Sequence, residues 1–410
     1  MDSNKNNSRI PRLRFPGFDG EWEEKSFGEL YKKCNVKNDL SYGVDKIISV
    51  ANMYYKTDAN IGDEEYLKSY NVFRLGDIAY EGNKSANYAY GRFVENTIGD
   101  GIVSHVFDVY SPISKDHCFG YWKYAINYER IMRPVLEKST IKSTMMNNLI
   151  AKDFLKQKTL VPSFAEQQKI AECLEAEDKM IAAQEQKVES LKAHKKGLMQ
   201  QLFPRPGETT PRLRFPGFTG EWEKKMFKDI TVPAGKKNRQ NLPYERYSIS
   251  NEVGFYPQSN QFEDGGGYLK DIDCRQYIIV PPKSFAYNPA RINVGSIGYQ
   301  DLEKEVIVSS LYEVFQTRND CDDLFLWQWF HSDIFHKMVV NVQEGGVRQY
   351  FFYEKLKECS LYLPSISEQK KIADCLSSLD KVIDDEQNKT VSLRNQKQGL
   401  MQQLFPQSNK

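Results

Sequence analysis

Two short stretches of this sequence carry the side chains best suited to touch a polyanion and read its edges. One is Tyr80-Glu81-Gly82-Asn83-Lys84-Ser85-Ala86-Asn87-Tyr88-Ala89-Tyr90-Gly91-Arg92, the other Tyr287-Asn288-Pro289-Ala290-Arg291-Ile292-Asn293-Val294-Gly295-Ser296. Both interleave basic, amide, hydroxyl and aromatic groups with glycine. Arg and Lys donate to guanine acceptors, Asn pairs bidentately with adenine, and Ser or a backbone amide holds a phosphate. Aligned on Tyr80 and Tyr287, Lys84 falls on Arg291. The candidates are Lys84, Ser85, Asn87, Tyr88 and Arg92 in the first stretch, and Arg291 and Asn293 in the second. A solvated polar loop has the same composition, so the pattern gains meaning only from the frame that holds it.

A second candidate follows in each half. Gly345-Gly346-Val347-Arg348-Gln349-Tyr350 places Arg348, Gln349 and Tyr350 after a glycine pair that allows close backbone approach. The matching place earlier in the chain is Lys142-Ser143-Thr144-Met145-Met146-Asn147-Asn148, where Lys142, Thr144 and Asn147 offer a different chemistry. Lys236-Lys237-Asn238-Arg239 adds Lys237 and Arg239, suited to backbone phosphates.

Signatures of covalent chemistry fail one by one. His331 and His336 are five apart rather than the four that puts two ligands on one helix face, and no Cys or carboxylate pattern completes a zinc site. Gly265-Gly266-Gly267 lacks the strand-loop-helix setting of a phosphate cradle, and reads as a flexible turn. Asn288-Pro289-Ala290-Arg291 is a near miss to the Asn/Asp-Pro-Pro-aromatic loop in which adenine amino-methyltransferases resemble one another. Ala290 and Arg291 replace the second proline and the aromatic residue, removing both rigidity and stacking.

The elements that must position these loops come from a chain that contains itself twice. Pro11-Arg12-Leu13-Arg14-Phe15-Pro16-Gly17-Phe18 returns as Pro211-Arg212-Leu213-Arg214-Phe215-Pro216-Gly217-Phe218, and the unit from Pro162-Ser163 to Phe203-Pro204 returns as Pro364-Ser365 to Phe405-Pro406. Between the matched segments only fragments align. One scaffold is therefore kept twice with two unlike inserts, which suits one device addressing two unlike targets. At 410 residues with a repeat of half that length, each half has ordinary domain size. With 56 basic and 55 acidic residues, whole-chain charge neither demands nor excludes a polyanionic partner.

Seven scattered cysteines without a C-x-x-C pair fit a reducing compartment. The polar start Met1 to Ser8 lacks the apolar core of a signal peptide, and no apolar run approaches the length of a membrane span, so a cytoplasmic protein is expected. Each insert reads as mixed α and β. Asp45–Val50, Gly101–Tyr110 and Val306–Phe315 look like strands, and Phe119–Ile126 and Leu324–Phe330 like packed helices.

Each half closes on a long amphipathic helix. Ile170, Leu174, Ile181, Val188, Leu191, Leu198 and Leu202 are spaced as a heptad stripe, and so are Ile372, Leu376, Leu379, Ile383, Leu393, Leu400 and Leu404. Ser163 and Ser367 are expected as N-caps, and Phe203-Pro204 and Phe405-Pro406 as stops. About 38 residues make a rod of roughly 57 Å. Glu177, Gln184, Lys195, Glu386, Thr390 and Lys397 fall on the seam, where polar residues select this pairing over homo-oligomers. Packing of each helix on its own domain alone is the plainer alternative. A pseudo-twofold between the halves would set the helices antiparallel. The expected division is a tail and repeat motif (1–21), a first insert (22–161), the central helix (162–204), a linker and repeat motif (205–224), a second insert (225–363), the closing helix (364–406) and a tail (407–410).

This plan resembles the specificity subunits of type I restriction-modification systems over nearly the whole chain. The residues carrying the resemblance are the two variable regions and the helix-opening motifs, Val161-Pro162-Ser163 with Glu166-Gln167-Gln168-Lys169-Ile170 and Leu363-Pro364-Ser365 with Glu368-Gln369-Lys370-Lys371-Ile372. Asn288-Pro289-Ala290-Arg291 and Gly346-Val347-Arg348 also look like recognition-region segments of that family, whereas Glu81-Gly82-Asn83-Lys84 and Ile141-Lys142-Ser143 depart from both. The resemblance implies an α+β fold in which two target-recognition domains are joined by an antiparallel coiled coil. It implies a non-catalytic DNA-binding chain with no metal or cofactor of its own, each domain reading one half of an asymmetric bipartite site and the helices setting the gap. Two modification subunits, similar to adenine N6-methyltransferases that use S-adenosylmethionine, would dock on the repeated segments, and restriction subunits using ATP and Mg²⁺ for translocation and cutting would complete a host-defence assembly. A non-DNA coiled-coil adaptor and a stand-alone adenine methyltransferase remain the competing readings.

Overall fold

The structure, a computed structural model, describes residues 9–56, 62–114, 116–142, 146–251, 254–258, 273–343 and 350–406. The α+β chain forms two compact units, Met1–Gln184 with Lys389–Lys410, and Glu185–Asn388. This division falls inside the two long helices, whereas the boundaries expected from sequence fall at their ends.

In the first unit Tyr31–Lys33, Val109–Pro112, Ile78–Glu81 and Arg92–Glu95 form, in that spatial order, a four-stranded antiparallel sheet. Ile78–Glu81 is buried along its length, as a central strand must be. The strands Glu23–Ser26 and Lys158–Val161 pair antiparallel, tying the start of the insert to its end. Tyr121–Ala125, Glu129–Ser139 and Ala151–Lys156 are helices. Phe154 lies 4.6 Å from Phe27 and 4.4 Å from Phe93, ring centre to ring centre. All three are fully buried, and each ring contributes about 1.5–3 kcal/mol by leaving water.

The second unit repeats the topology. Thr231–Pro233, Glu313–Thr317, Ser284–Tyr287 and Ile297–Gln300 form a sheet of the same order, and Glu223–Met226 pairs with Ser360–Leu363. Its core contains Phe227, Phe285, Phe315 and Phe330, with Trp222 and Trp329.

All three strand expectations need correction. Gly101–Tyr110 is two strands, Gly101–Val103 and Val109–Pro112, in different sheets, and Val306–Phe315 likewise divides into Val306–Val308 and Glu313–Thr317. Turns closed by Phe107 N–H to the Ser104 carbonyl and Tyr312 N–H to the Ser309 carbonyl make the breaks. Of Asp45–Val50 only Ile48–Ser49 is strand, after a 3₁₀ turn at Val44–Lys46. The expected helices are present as Tyr121–Ala125 and Asp323–Phe330.

The long helices run Phe164–Leu202 and Ile366–Leu404, 39 residues each, or about 58 Å. Ser163 Oγ accepts the Glu166 N–H at 3.3 Å, as expected of an N-cap. In the second helix the cap is Ser365, whose Oγ accepts the Glu368 N–H at 3.4 Å. Ser367 already lies inside the first turn, so the expected cap there is displaced by two residues.

Within each unit the helix segments pack antiparallel. In the first, Ile170 and Leu174 share a core with Leu404 and Phe405, and Glu177 meets Gln396 at 3.2 Å. In the second, Leu202 shares a core with Ile372 and Leu376, and Lys187 meets Glu386 at 3.0 Å. Ile170, Leu174, Val188, Leu202, Ile372, Leu376, Ile383 and Leu404 are buried, while Ile181, Leu191, Leu198, Leu379, Leu393 and Leu400 are half-buried. Glu177, Glu386 and Thr390 are buried, which makes the seam polar where the heptad phase said it would be.

The repeated Pro-Arg-Leu-Arg motif is a strap. Arg14 Nε and Nη2 donate to Glu166 Oε1 and Oε2 at 2.8 Å each, and Arg214 makes the same fork to Glu368 at 2.7 and 2.8 Å. Each arginine also reaches a backbone carbonyl, that of Gly20 or Gly220, across a turn where both glycines have positive φ. The next residue of each helix motif ties down the insert. Gln167 Nε2 donates to the Pro162 carbonyl and its Oε1 accepts the Cys118 N–H; Gln369 donates to the Pro364 and Asp320 carbonyls and accepts the Asp322 N–H. The Glu-Gln pair is thus a junction between strap, helix and insert. Among the described residues no helix is long and apolar enough to cross a membrane.

Candidate nucleic-acid interface

Sheet register aligns the strands that lead into the two loops. Ala79 pairs with Val94 and Val109, and Ala286 pairs with Gly298 and Val314, at the same place in the same strand order. Tyr80 and Tyr287, one residue on, are therefore equivalent, and both are buried. The second strand ends at Tyr287 itself and the first one residue past Tyr80, at Glu81.

In each half one backbone hydrogen bond ties the first candidate loop to the chain at or just beyond the second candidate segment. Asn147 N–H donates to the Gly82 carbonyl at 2.9 Å, and Phe351 N–H donates to the Pro289 carbonyl at 3.0 Å. Gly82 and Pro289 are each two residues beyond the aligned tyrosine. Gly82 is required by this approach, because a Cβ there would stand 2.2 Å from the Asn147 carbonyl oxygen. In the first half the two sequence patterns thus touch at Gly82 and Asn147; in the second, residues 344–349 lie outside the described residues and the contact is made by Phe351, just past Tyr350.

Among the first unit's candidates, Lys84, Ser85, Asn87 and Lys142 are exposed. Ser85 and Tyr88 exchange backbone hydrogen bonds across a tight turn, and Ser85 Oγ accepts the Tyr88 N–H at 3.2 Å. Lys142 Nζ lies 5.3 Å over the Tyr90 ring, whose hydroxyl donates to Glu137. Two candidates face inward. Arg92 donates to Glu81 at 2.8 Å and to the Ala51 carbonyl at 2.8 Å, and covers half-buried Tyr88 at 5.2 Å. Asn147 is buried and donates to the Ala89 carbonyl at 3.0 Å. Arg92 and Asn147 brace the loop, and Thr144 lies outside the described residues.

In the second unit Asn288 Oδ1 accepts the Ala290 N–H at 3.0 Å, a turn that presents Arg291 to solvent. Asn293 is half-buried in the one-turn 3₁₀ helix Ile292–Val294, which ends at Gly295 in the left-handed conformation. Tyr350 is exposed and stacks on Phe352 with ring centres 5.4 Å apart. Arg348 and Gln349 lie outside the described residues. Lys237 is exposed on a short strand and donates to Gln276 at 2.9 Å, and Arg239 is exposed just beyond it.

Sequence reading missed the brace behind that basic stretch. Asn238 Nδ2 donates to the Leu242 carbonyl and its Oδ1 accepts the Leu242 N–H, while Asn38 does the same with Tyr42. The repeated dipeptide Lys37-Asn38 and Lys237-Asn238 was the available signal. A buried pair in the first unit was also unforeseen. Burial pushes Glu95 up to about 8 and His117 down to about 4, and the two lie 3.6 Å apart. The corresponding position in the second sheet is Tyr299, which donates to Asp323 at 2.8 Å. Among the described residues no group of three or more His, Cys, Asp or Glu side chains is placed to hold a metal ion.

Comparison with known proteins adds to this geometry. Residues 19–193 and 220–395 each match the family described as type I restriction modification DNA specificity domain. The chain is 24% identical over 285 residues to a type I restriction enzyme MjaVIII specificity subunit of Methanocaldococcus jannaschii, covering 65% of this chain and 66%, just under two thirds, of that relative. It shares its fold, at 14% identity, with a chain from a structure concerned with complex assembly and conformational transition of a type I restriction-modification system (TM-score 0.58; 96% of this chain and 99% of that one). It also shares it, again at 14% identity, with the S subunit of a type I restriction-modification system from M. genitalium (TM-score 0.54; 97% and 100%).

Proposed function

This chain belongs to the type I restriction modification DNA specificity family, a specificity subunit with the family domain in two copies, and from that premise we propose that each unit reads one half of an asymmetric, bipartite DNA site. The proposed target-recognition domains are residues 22–161 and 225–363. The observation that carries the reading is the parallel pin, Gly82 to Asn147 and Pro289 to Phe351, which in both units ties the loop after the aligned tyrosine to the chain leading into the next helix while the side chains differ. Equal skeletons with unlike side chains suit two half-sites of different sequence.

In the first half-site, Lys84, Ser85, Asn87 and Lys142 reach the DNA, with Thr144 beside them in sequence. In the second, Arg291, Asn293 and Tyr350 do so together with Arg348 and Gln349, and Lys237 and Arg239 meet phosphates. Arg92, Tyr88 and Asn147 support the first loop from behind.

Membership of the family carries with it DNA binding and assembly with the other subunits of a restriction-modification complex. In our reading two adenine N6-methyltransferase subunits supply S-adenosylmethionine chemistry and dock one on each repeated frame. Restriction subunits bring ATP- and Mg²⁺-dependent translocation and cutting, and the paired helices set the unread gap. Near-neutral charge is tolerable where partners supply phosphate contacts. Base-resolved mapping of methyladenine in cells with and without this chain tests the reading. Two dissimilar half-sites at a fixed gap, lost on deletion, are expected; methylation that persists unchanged without the chain would refute it.

A further inference from the structure

The same three-way contact occurs once in each unit, built from repeat-equivalent residues. In the second unit Asp380 of one long helix accepts Lys195 Nζ of the other at 2.5 Å through Oδ1 and Gln328 Nε2 at 2.8 Å through Oδ2. In the first, Asp178 accepts Lys397 Nζ at 2.5 Å through Oδ1 and the Tyr124 hydroxyl at 2.6 Å through Oδ2. Asp178 and Asp380 occupy matching places in the repeat, as do Lys195 and Lys397. Tyr124 and Gln328 both stand on the aromatic-rich short helix that leads away from the recognition sheet.

One carboxylate therefore joins three bodies: its own helix, the antiparallel partner helix, and the recognition region. The side chains of Lys195 and Lys397 are 14% and 20% exposed, so neither ammonium has bulk water as a ready substitute. Gln328 and Tyr124 are buried. Lys123 adds a 3.6 Å ion pair to Asp178, and Lys397 lies 4.8 Å over the Tyr124 ring. Burial alone would raise Asp178, but hydrogen bonds from Lys397 and Tyr124 outweigh it and hold the carboxyl below its ordinary value.

A salt bridge kept only for helix pairing would need no third partner, and one kept only for domain stability would not cross to the other helix. We propose that Asp178 and Asp380 are positioning residues that fix how each recognition region is held on the helix pair, and that through this they set how strictly the length of the gap between half-sites is read. The inference rests on the bipartite reading above and deepens it, because it names side chains by which a gap is enforced without contact to its bases.

The test uses the full chain assembled with its modification subunits. Methyl transfer is measured on duplexes that keep both native half-sites and vary the gap one base pair at a time. Asp380→Ala and Asp178→Ala, each of which removes both hydrogen bonds to the carboxylate, should each lower the preference for the native gap over its neighbours by at least about tenfold. The bases read in each half-site should stay the same. The charge exchange Lys195→Asp with Asp380→Lys should restore the preference, since Gln328 Oε1, which is buried without a hydrogen-bond partner, can accept from the introduced ammonium. Uniform weakening at every gap length, or an unchanged preference in both alanine variants, would overturn the proposal. So would an exchange variant that unfolds at the wild-type temperature yet keeps the relaxed preference. Failure of the wild-type assembly to require two half-sites would instead strike the bipartite reading itself.

Discussion

The two recognition sheets have one topology and almost no common surface. Tyr80 and Tyr287 occupy the same site in the same strand order, and the loop after each is pinned two residues later by a backbone hydrogen bond. What the loops present differs: Lys84, Ser85 and Asn87 on one, Arg291 and half-buried Asn293 on the other. Pins made from backbone amides and carbonyls are indifferent to side-chain identity. Such a frame lets one half change its chemistry without disturbing the fold, and without altering the other half.

The long helices teach a related distinction. The Asp-Lys contacts are equivalent in both units, so they cannot by themselves favour pairing of unlike helices over like ones. The unlike contacts can. Glu177 with Gln396 has Leu379 and His194 at the equivalent places, and Glu386 with Lys187 has Gln184 and Lys389. We propose that the pairing selectivity expected of the polar seam comes from Glu177 and Glu386, while Asp178 and Asp380 serve geometry.

One large effect should fall on what the halves share. Arg14→Ala and Arg214→Ala each leave a carboxylate, Glu166 or Glu368, whose side chain is no more than 2% exposed, without its bidentate partner. Breaking such a pair costs about 3 kcal/mol. Chemical denaturation should show equal losses for the two variants. A loss in one alone would mean the frames are less alike than their geometry.

A second, pH-dependent effect should separate the halves. Glu95 is raised by burial to about 8, so its contribution is complete below the ordinary 4.5 and is lost as pH rises toward 8. His117 is lowered to about 4, so its contribution is complete above 6.5 and lost as pH falls through 4. Glu95→Gln should remove the alkaline limb and gain on the order of 5 kcal/mol relative to wild type above pH 8. Thermal unfolding across pH 4–9 checks this, and Tyr299→Phe in the other unit should leave the limb in place.

Much of this organisation was legible in the sequence because it was written twice. The heptad stripes, the helix stops and the aligned loops all follow from repetition and period. The strap did not, since Arg14 and Glu166 lie 152 residues apart and only folding shows that two separately recognised motifs grip each other. The broken strands were hidden for a different reason. Val103-Ser104-His105-Val106 and Val308-Ser309-Ser310-Leu311 carry no Gly or Pro, and their turns show only as exposed apolar tips, Val106 at 58% and Leu311 at 69%. Arg92 and Asn147 had base-reading chemistry by type; their internal partners became visible only in three dimensions.

On DNA, the comparison sharpens at the aligned pair. Arg291→Ala should relax the bases accepted in one half-site by about 1–3 kcal/mol, and Lys84→Ala should do so only in the other. Methyladenine mapping reads both outcomes, and a change in both half-sites from either variant would mean the loops are not independent readers.

The smallest effect separates reading from holding. Lys237 is exposed beside Arg239 on the far side of the Asn238 brace, and its ammonium already has a neutral partner in Gln276, so it can add a phosphate contact without giving up an ion pair. A phosphate contact carries no sequence information, but it releases a counterion. Lys237→Ala should therefore leave every base preference intact while lowering the slope of log affinity against log salt by about one. Binding titrations of the assembled complex between low and moderate salt measure the slope directly. A changed base preference with an unchanged slope would move Lys237 from the group that holds the duplex to the group that reads it, and would break the division between frame and loop at that point.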